Sequence, residues 1–161
     1  MASLVDTNVL VYCFDPRFPD KQRIASELLR QGIVRADIAL PHQAILEFVA
    51  AVTRPRTDLG GDPLLSFDQA YREAEELIRQ LPILYPDEEV LTTAFRGAPT
   101  YGLSWFDAHL WAYAEVHGIS EILSEDFQHG RHYGSVRAVD PFLSATGTVS
   151  ELPAMYDAEG P

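Results

Sequence analysis

One cysteine, Cys13, and one lysine, Lys21, are all that the 161 residues carry of these two types. A lone cysteine excludes an intramolecular disulfide and a thiolate metal cage, so Cys13 reads as a small buried hydrophobe. A lone, early lysine leaves any chemistry that needs a specific ammonium group with a single candidate. No apolar run approaches the roughly 20 residues of a membrane span, and the opening residues lack the basic-then-apolar order of a secretory signal; a soluble, cytoplasmic chain is expected. The G-x-x-x-x-G-K-[ST] phosphate loop, the G-x-G-x-x-G fingerprint and the G-x-S-x-G elbow are all missing, which removes the usual supports of nucleotide-dependent and serine-nucleophile chemistry. Positive charge is scarce as well. Twelve basic against 24 acidic residues give a net charge of −12, which argues against a broad basic face for nucleic acid, although acids that bind a metal enter that tally and local basic patches survive an acidic average.

A hydrophobic content of 47% with no break in composition fits one domain with a real core. Ser3-Leu-Val reads as a short buried strand running into Asp6 and a helical turn through Tyr12. Pro19-Asp20 opens an amphipathic helix with Ile24, Leu28 and Leu29 on its core stripe, ending near Gly32. Asp37 to Pro41 is a second strand stopped by proline, and Ile45, Phe48, Val49 and Val52 recur at helical spacing after it. Arg54-Pro55 ends that helix, and Gly60-Gly61-Asp62-Pro63 marks a loop. Ser66 and Gln69 have the spacing of a capping box before a stripe of Phe67, Ala70, Tyr71, Ala74, Leu77, Ile78 and Leu81. The proline-bounded segment 82–86 suits an edge strand. Helices over Asp87 to about Gly97 and Ser104 to Gly118, then strands over Ile119 to Ser124 and Val136 to Val139, complete an α/β pattern with a mainly parallel sheet. Residues 1–143 form the expected domain, and 144–161, which contains Glu151, Asp157 and Glu159 without a base, a flexible acidic tail.

Asp6 is the residue out of place, a carboxylate at the end of a buried run, where an unpaired charge costs several kcal/mol. Ligands in open α/β sheets bind outside the carboxyl ends of the strands, and Asp126 follows a late strand much as Asp6 follows the first. Asp107 has Leu110, Trp111 and Ala114 at i+3, i+4 and i+7, which sets it on an apolar helix face. Each has an ordinary alternative: a cap-like acid at Asp6, the reciprocal of Ser104 at Asp107, a turn acid at Asp126. Glu47 falls away from its helix's apolar stripe, on the side of Gln43 and Arg54, and an ordinary solvated glutamate explains it. No pair of the five histidines makes the helical metal motif, and His129 and His132 in a glycine-rich loop read as surface residues.

In their local contexts, Val5-Asp6-Thr7-Asn8-Val9-Leu10, Ile-Leu-Glu47-Phe, Trp105-Phe-Asp107-Ala108 and Leu123-Ser-Glu-Asp126-Phe resemble a PIN domain, most closely the toxin ribonucleases of the VapC type. Thr53-Arg-Pro-Arg56 resembles the family segment after the glutamate helix. The resemblance implies a three-layer α/β/α sandwich in which Asp6, Glu47, Asp107 and Asp126 hold Mg²⁺ or Mn²⁺ and cut single-stranded or looped RNA, with Thr7, Asn8 and Ser124 in support. Glu125 stands outside that set. It also implies a homodimer and a small antitoxin partner. A hard cation that keeps several waters suits carboxylates drawn from separate elements, and four like charges should leave the site metastable without it. Arg17, Lys21, Arg23, Arg54, Arg56 and Arg131 are candidates for guiding phosphate.

Two other readings compete. A dehalogenase-like phosphatase needs a second aspartate where Asn8 stands, and a phosphoacceptor receiver needs a late lysine, whereas Lys21 is early. A catalytically inactive PIN-fold binding module, its acids kept for structure or partner contacts, is the non-enzyme alternative.

Overall fold

The computed structural model describes residues 2–144. Strands β1 (Ser3–Val5), β2 (Ile38–Pro41), β3 (Ile83–Leu84), β4 (Glu121–Leu123), β5 (His132–Tyr133) and β6 (Val136–Val139) form one sheet in the order β3-β2-β1-β4-β6-β5. Every pairing is parallel except β5 with β6. The expected mainly parallel α/β sheet is therefore what forms, and the proline-bounded strand β3 lies at its edge.

Alternation of side chains along a strand builds two cores. Val5, Leu40 and Leu123 point into one, covered by α1 (Thr7–Tyr12), α2 (Pro19–Arg35), α3 (His42–Thr53) and α4 (Phe67–Gln80). Leu4, Ile122 and Ala138 point into the other, covered by α5 (Glu88–Tyr101) and α6 (Trp105–Val116). The result is an α/β/α sandwich. Its central strands β1 and β4 are paired through Val5 and Leu123, so the chain leaves both at the same edge.

Several local expectations shift for identifiable reasons. Helix α2 runs through Gly32 to Arg35 and ends on Ala36, whose φ of 55° is left-handed. Gly32 is there for packing: a Cβ on it would come within 2.5 Å of Ile38 Cδ1. Helix α5 likewise runs past Gly97, where a Cβ would meet Trp111 of α6 at 2.2 Å, and stops at left-handed Gly102. The Ser66 and Gln69 capping box is formed, but the stripe after it is only half used. Ala70, Ala74 and Leu81 are buried while Phe67, Tyr71 and Ile78 stay exposed, because α4 covers α3 with one flank and nothing described covers the other. Strand β5 was not foreseen, since two residues carry no periodicity; His132 in it and His129 before it are exposed, in keeping with a surface role. Cys13 is half-buried, and burial pushes its thiol up to about 11. The tail expected over 144–161 lies outside the described residues except for Ser144. Among the described residues no helix is long and apolar enough to cross a membrane.

Candidate active site

The end of β1 delivers Asp6 and the end of β4 delivers Ser124, with the Asp6 amide bonded to the Leu123 carbonyl at 3.0 Å. Asp6 is the N-cap of α1, so the ordinary capping reading holds in geometry: its Oδ1 accepts from the Thr7 amide at 2.6 Å. Its other oxygen accepts from Ser124 Oγ at 2.6 Å and from Asn8 Nδ2 at 3.3 Å. None of these donors carries a charge. At 5% exposure, burial drives the Asp6 pKa from 3.8 up to about 7; the Ser124 and Thr7 bonds oppose the rise, and the charges of Asp126 and Glu47 add to it.

Asn8 ties the two strand ends together. Its Nδ2 also lies 3.1 Å from Asp126 Oδ2 and 3.1 Å from Ser124 Oγ, while its buried Oδ1 has no hydrogen-bond partner among the described residues. Asp126 is exposed, and its amide donates to Ser124 Oγ at 3.0 Å.

Glu47 departs from the solvated glutamate expected of it. Helix α3 follows β2, the neighbour of β1, and sets Glu47 against α1, where Thr7 Oγ1 donates to one carboxylate oxygen at 3.0 Å. Gln43, one turn earlier, donates to the other at 2.7 Å. Gln43 is itself buried and held from α6: its Oε1 lies 2.6 Å from His109 Nδ1, and its Nε2 also reaches the Phe106 carbonyl at 3.1 Å. An amide oxygen only accepts, so His109 carries its proton on Nδ1. Burial holds His109 below its ordinary pKa, with Glu47 pulling the other way, so the neutral ring is favoured.

Asp107 comes from the opposite helical layer. Ser104 caps its amide at 3.3 Å, as the ordinary reading had it. The carboxyl is half-buried and its pKa is raised by that burial, a rise opposed by hydrogen bonding from Ser104 and reinforced by Asp126 and Glu47. The four acids are thus close enough to feel one another, and they come from β1, α3, α6 and the segment after β4. Among the described residues no three acids, histidines or cysteines stand ready to hold an ion. The donor chemistry nevertheless suits a hard divalent cation: all the groups are oxygens, and among the described residues buried Asp6 has no cation beside it.

Sequence reasoning missed Gln43 and His109. Gln43 had a usable signal, its i, i+4 relation to Glu47 on one helix face. His109 had none, because its partner lies 66 positions away. Glu125, left out of the acidic set, pairs instead with Lys21 at 2.7 Å. Of the proposed phosphate guides, Arg17 and Arg56 border a crevice of about 330 Å³ that also touches Glu47 and Asp126. Arg23 lies 3.9 Å from Asp20, Arg131 covers the Tyr133 ring, and Arg54 is exposed.

The PIN domain family matches residues 3–134, and the chain belongs to it. Similar folds occur in a toxin-antitoxin complex from Klebsiella pneumoniae, at TM-score 0.59 and 18% identity over 87% of this chain and 98% of that one. FitAcB from Neisseria gonorrhoeae gives 0.56 and 22% over 86% and 97%. VapC20 from Mycobacterium tuberculosis, a toxin that cleaves the sarcin-ricin loop, gives 0.53 and 16% over 84% and 99%. No curated protein sequence matches the chain significantly.

Proposed function

We propose that this PIN-domain protein is a divalent-metal-dependent endoribonuclease and the toxin of a toxin-antitoxin pair, acting in the cytoplasm. The observation that carries the reading is Asp6, a buried carboxylate at the ends of the two central strands with only neutral donors around it and three further acids nearby. A structural acid in that position would have been given a cation, as buried acids ordinarily are.

Asp6, Glu47, Asp107 and Asp126 would hold Mg²⁺ or Mn²⁺. When bound, such an ion supplies Lewis acidity toward a phosphodiester and a nucleophilic water at neutral pH. The protein's own part is orientation. Thr7 and Ser124 fix the two oxygens of Asp6, Thr7 and Gln43 fix those of Glu47, and Asn8 spans Asp6 and Asp126. Among the described residues no three ligands stand ready, so a bound ion would have to offset the repulsion between the acids for them to share it. The products carry 5′-phosphate and 3′-hydroxyl ends. The toxin-antitoxin complex among its fold relatives supports a cognate antitoxin as partner; the same reading takes the protein as a homodimer and has the antitoxin present an arginine to the acids.

The test is a panel of single-stranded and looped RNAs incubated with purified protein in Mg²⁺, Mn²⁺ or EDTA. Cleavage is expected with either metal and none with the chelator. Intact RNA under every condition would overturn the nuclease reading and leave an inactive PIN-fold binding module.

A further inference from the structure

We infer that Arg56 holds a phosphate of single-stranded RNA in the crevice beside the acids, with the Tyr12 and Phe18 rings forming the wall next to it. This rests on the ribonuclease reading and names how its substrate is gripped.

A strand approaching the acids of a chain with net charge −12 meets repulsion, so it needs a local cation. Three basic side chains stand near this crevice, and two are already committed. Arg17 is bonded through Nε and Nη2 to Asp15 at 2.8 and 2.7 Å, and through Nη1 to Asp58. Lys21 donates to Glu125 at 2.7 Å and to the Tyr12 hydroxyl at 3.2 Å. Arg56 differs. Among the described residues it makes no ion pair; Nη2 reaches the Ala51 carbonyl at 3.1 Å, and its buried Nε has no acceptor. The acid that Arg56 influences, Asp15, is already taken by Arg17 from two sides.

The side chain is also held for use. Its backbone amide donates to the Asp62 carbonyl at 3.1 Å, and its carbonyl accepts from Gly61 at 2.8 Å and Leu59 at 3.2 Å, so the loop after α3 fixes where the guanidinium starts. A planar fork with spare donors, half-buried at the edge of a crevice that opens on Glu47 and Asp126, matches the two free oxygens of a phosphodiester. Tyr12 and Phe18 meet edge to face at 5.7 Å; Lys21 lies over both rings and Arg17 over Phe18, and the part of Phe18 they leave exposed offers an apolar contact for a base or sugar beside that phosphate.

The experiment measures binding of a fluorescein-labelled mixed-sequence RNA of about 12 nucleotides by anisotropy in Mg²⁺. Asp6→Asn protein is the background throughout, so that cleavage does not intervene. Arg56→Gln, which keeps a donor for the Ala51 carbonyl, is expected to weaken binding about tenfold and to flatten the logarithmic salt dependence by roughly 0.7. Arg56→Lys should recover part of the affinity. Arg35→Gln, about 25 Å along α2 from its start, should bind as the background does. Unchanged affinity and salt slope in Arg56→Gln, with an unchanged melting temperature and with wild-type protein cleaving RNA, would overturn this inference alone. If wild-type protein neither cleaves nor binds RNA, the ribonuclease reading falls and takes the subsite with it.

Discussion

Asp6 and Asp15 lie nine residues apart, Asp6 capping the start of α1 and Asp15 two residues past its C-cap Cys13, and both are almost fully buried, at 5% and 2% exposure. Their electrostatics are opposite. Hydrogen bonds from Arg17 hold Asp15 below the usual carboxylate range, against the opposing effect of burial. Asp6 is surrounded by a hydroxyl, an amide and a backbone N–H, and burial takes it up to about 7. Burial alone therefore does not mark a functional acid. The counter-charge separates the two: Arg17 sits on Asp15, whereas among the described residues no protein cation sits on Asp6, the difference on which the proposed metal site rests.

The largest expected effect is at Asp6. Asp6→Asn should lower metal-dependent RNA cleavage by at least about 1,000-fold, as expected when charge stabilisation in a transition state is lost, and should raise the melting temperature in metal-free buffer by removing the repulsion. Wild-type cleavage by this variant would erase the contrast. Next comes Gln43→Leu, which frees one oxygen of Glu47 and leaves His109 without its acceptor. Mn²⁺ affinity, read by calorimetry, should fall about 10- to 100-fold, the usual cost of losing a residue that orients a ligand. An unchanged affinity would remove Glu47 from the ion's partners.

The smallest effect is on stability at Asp15. Because its folded pKa is depressed, its pairing stabilises the fold above the unfolded value near 3.9 and is lost as pH falls through the lower folded value. Arg17→Ala should lower the melting temperature by several degrees at pH 7 and by progressively less below pH about 4. A deficit that persists undiminished into strong acid would show that Arg17 acts through packing and not through Asp15.

Most elements were legible because their causes are local. The short apolar run in Ser3-Leu-Val, the helical recurrence of Ile45, Phe48, Val49 and Val52, and the Ser66 and Gln69 cap each need only neighbouring residues. The failures share the opposite property. Gly32 and Gly97 looked like helix stops, yet each sits where Ile38 or Trp111 comes too close for a side chain. Phe67, Tyr71 and Ile78 looked like core, but whether a stripe is buried depends on what covers it. Glu47 looked solvated because it leaves its own helix's apolar stripe, and only the packing of α3 against α1 and α6 gives that side Thr7 and a Gln43 anchored by His109 as partners.

The sequence by itself determined an α/β chain and which strand-end acids stood without an obvious counter-ion, since periodicity, capping and charge are properties of short segments. Tertiary structure decided that β1 and β4 are neighbours, that Asp6 and Asp126 share the amide of Asn8, and that Gln43 links His109 to Glu47. It also decided that Arg56, unlike Arg17 and Lys21, makes no ion pair among the described residues and has a buried Nε without an acceptor. Those facts arise between segments far apart in the chain, and only the packing that closes the sheet brings such segments within reach of a hydrogen bond.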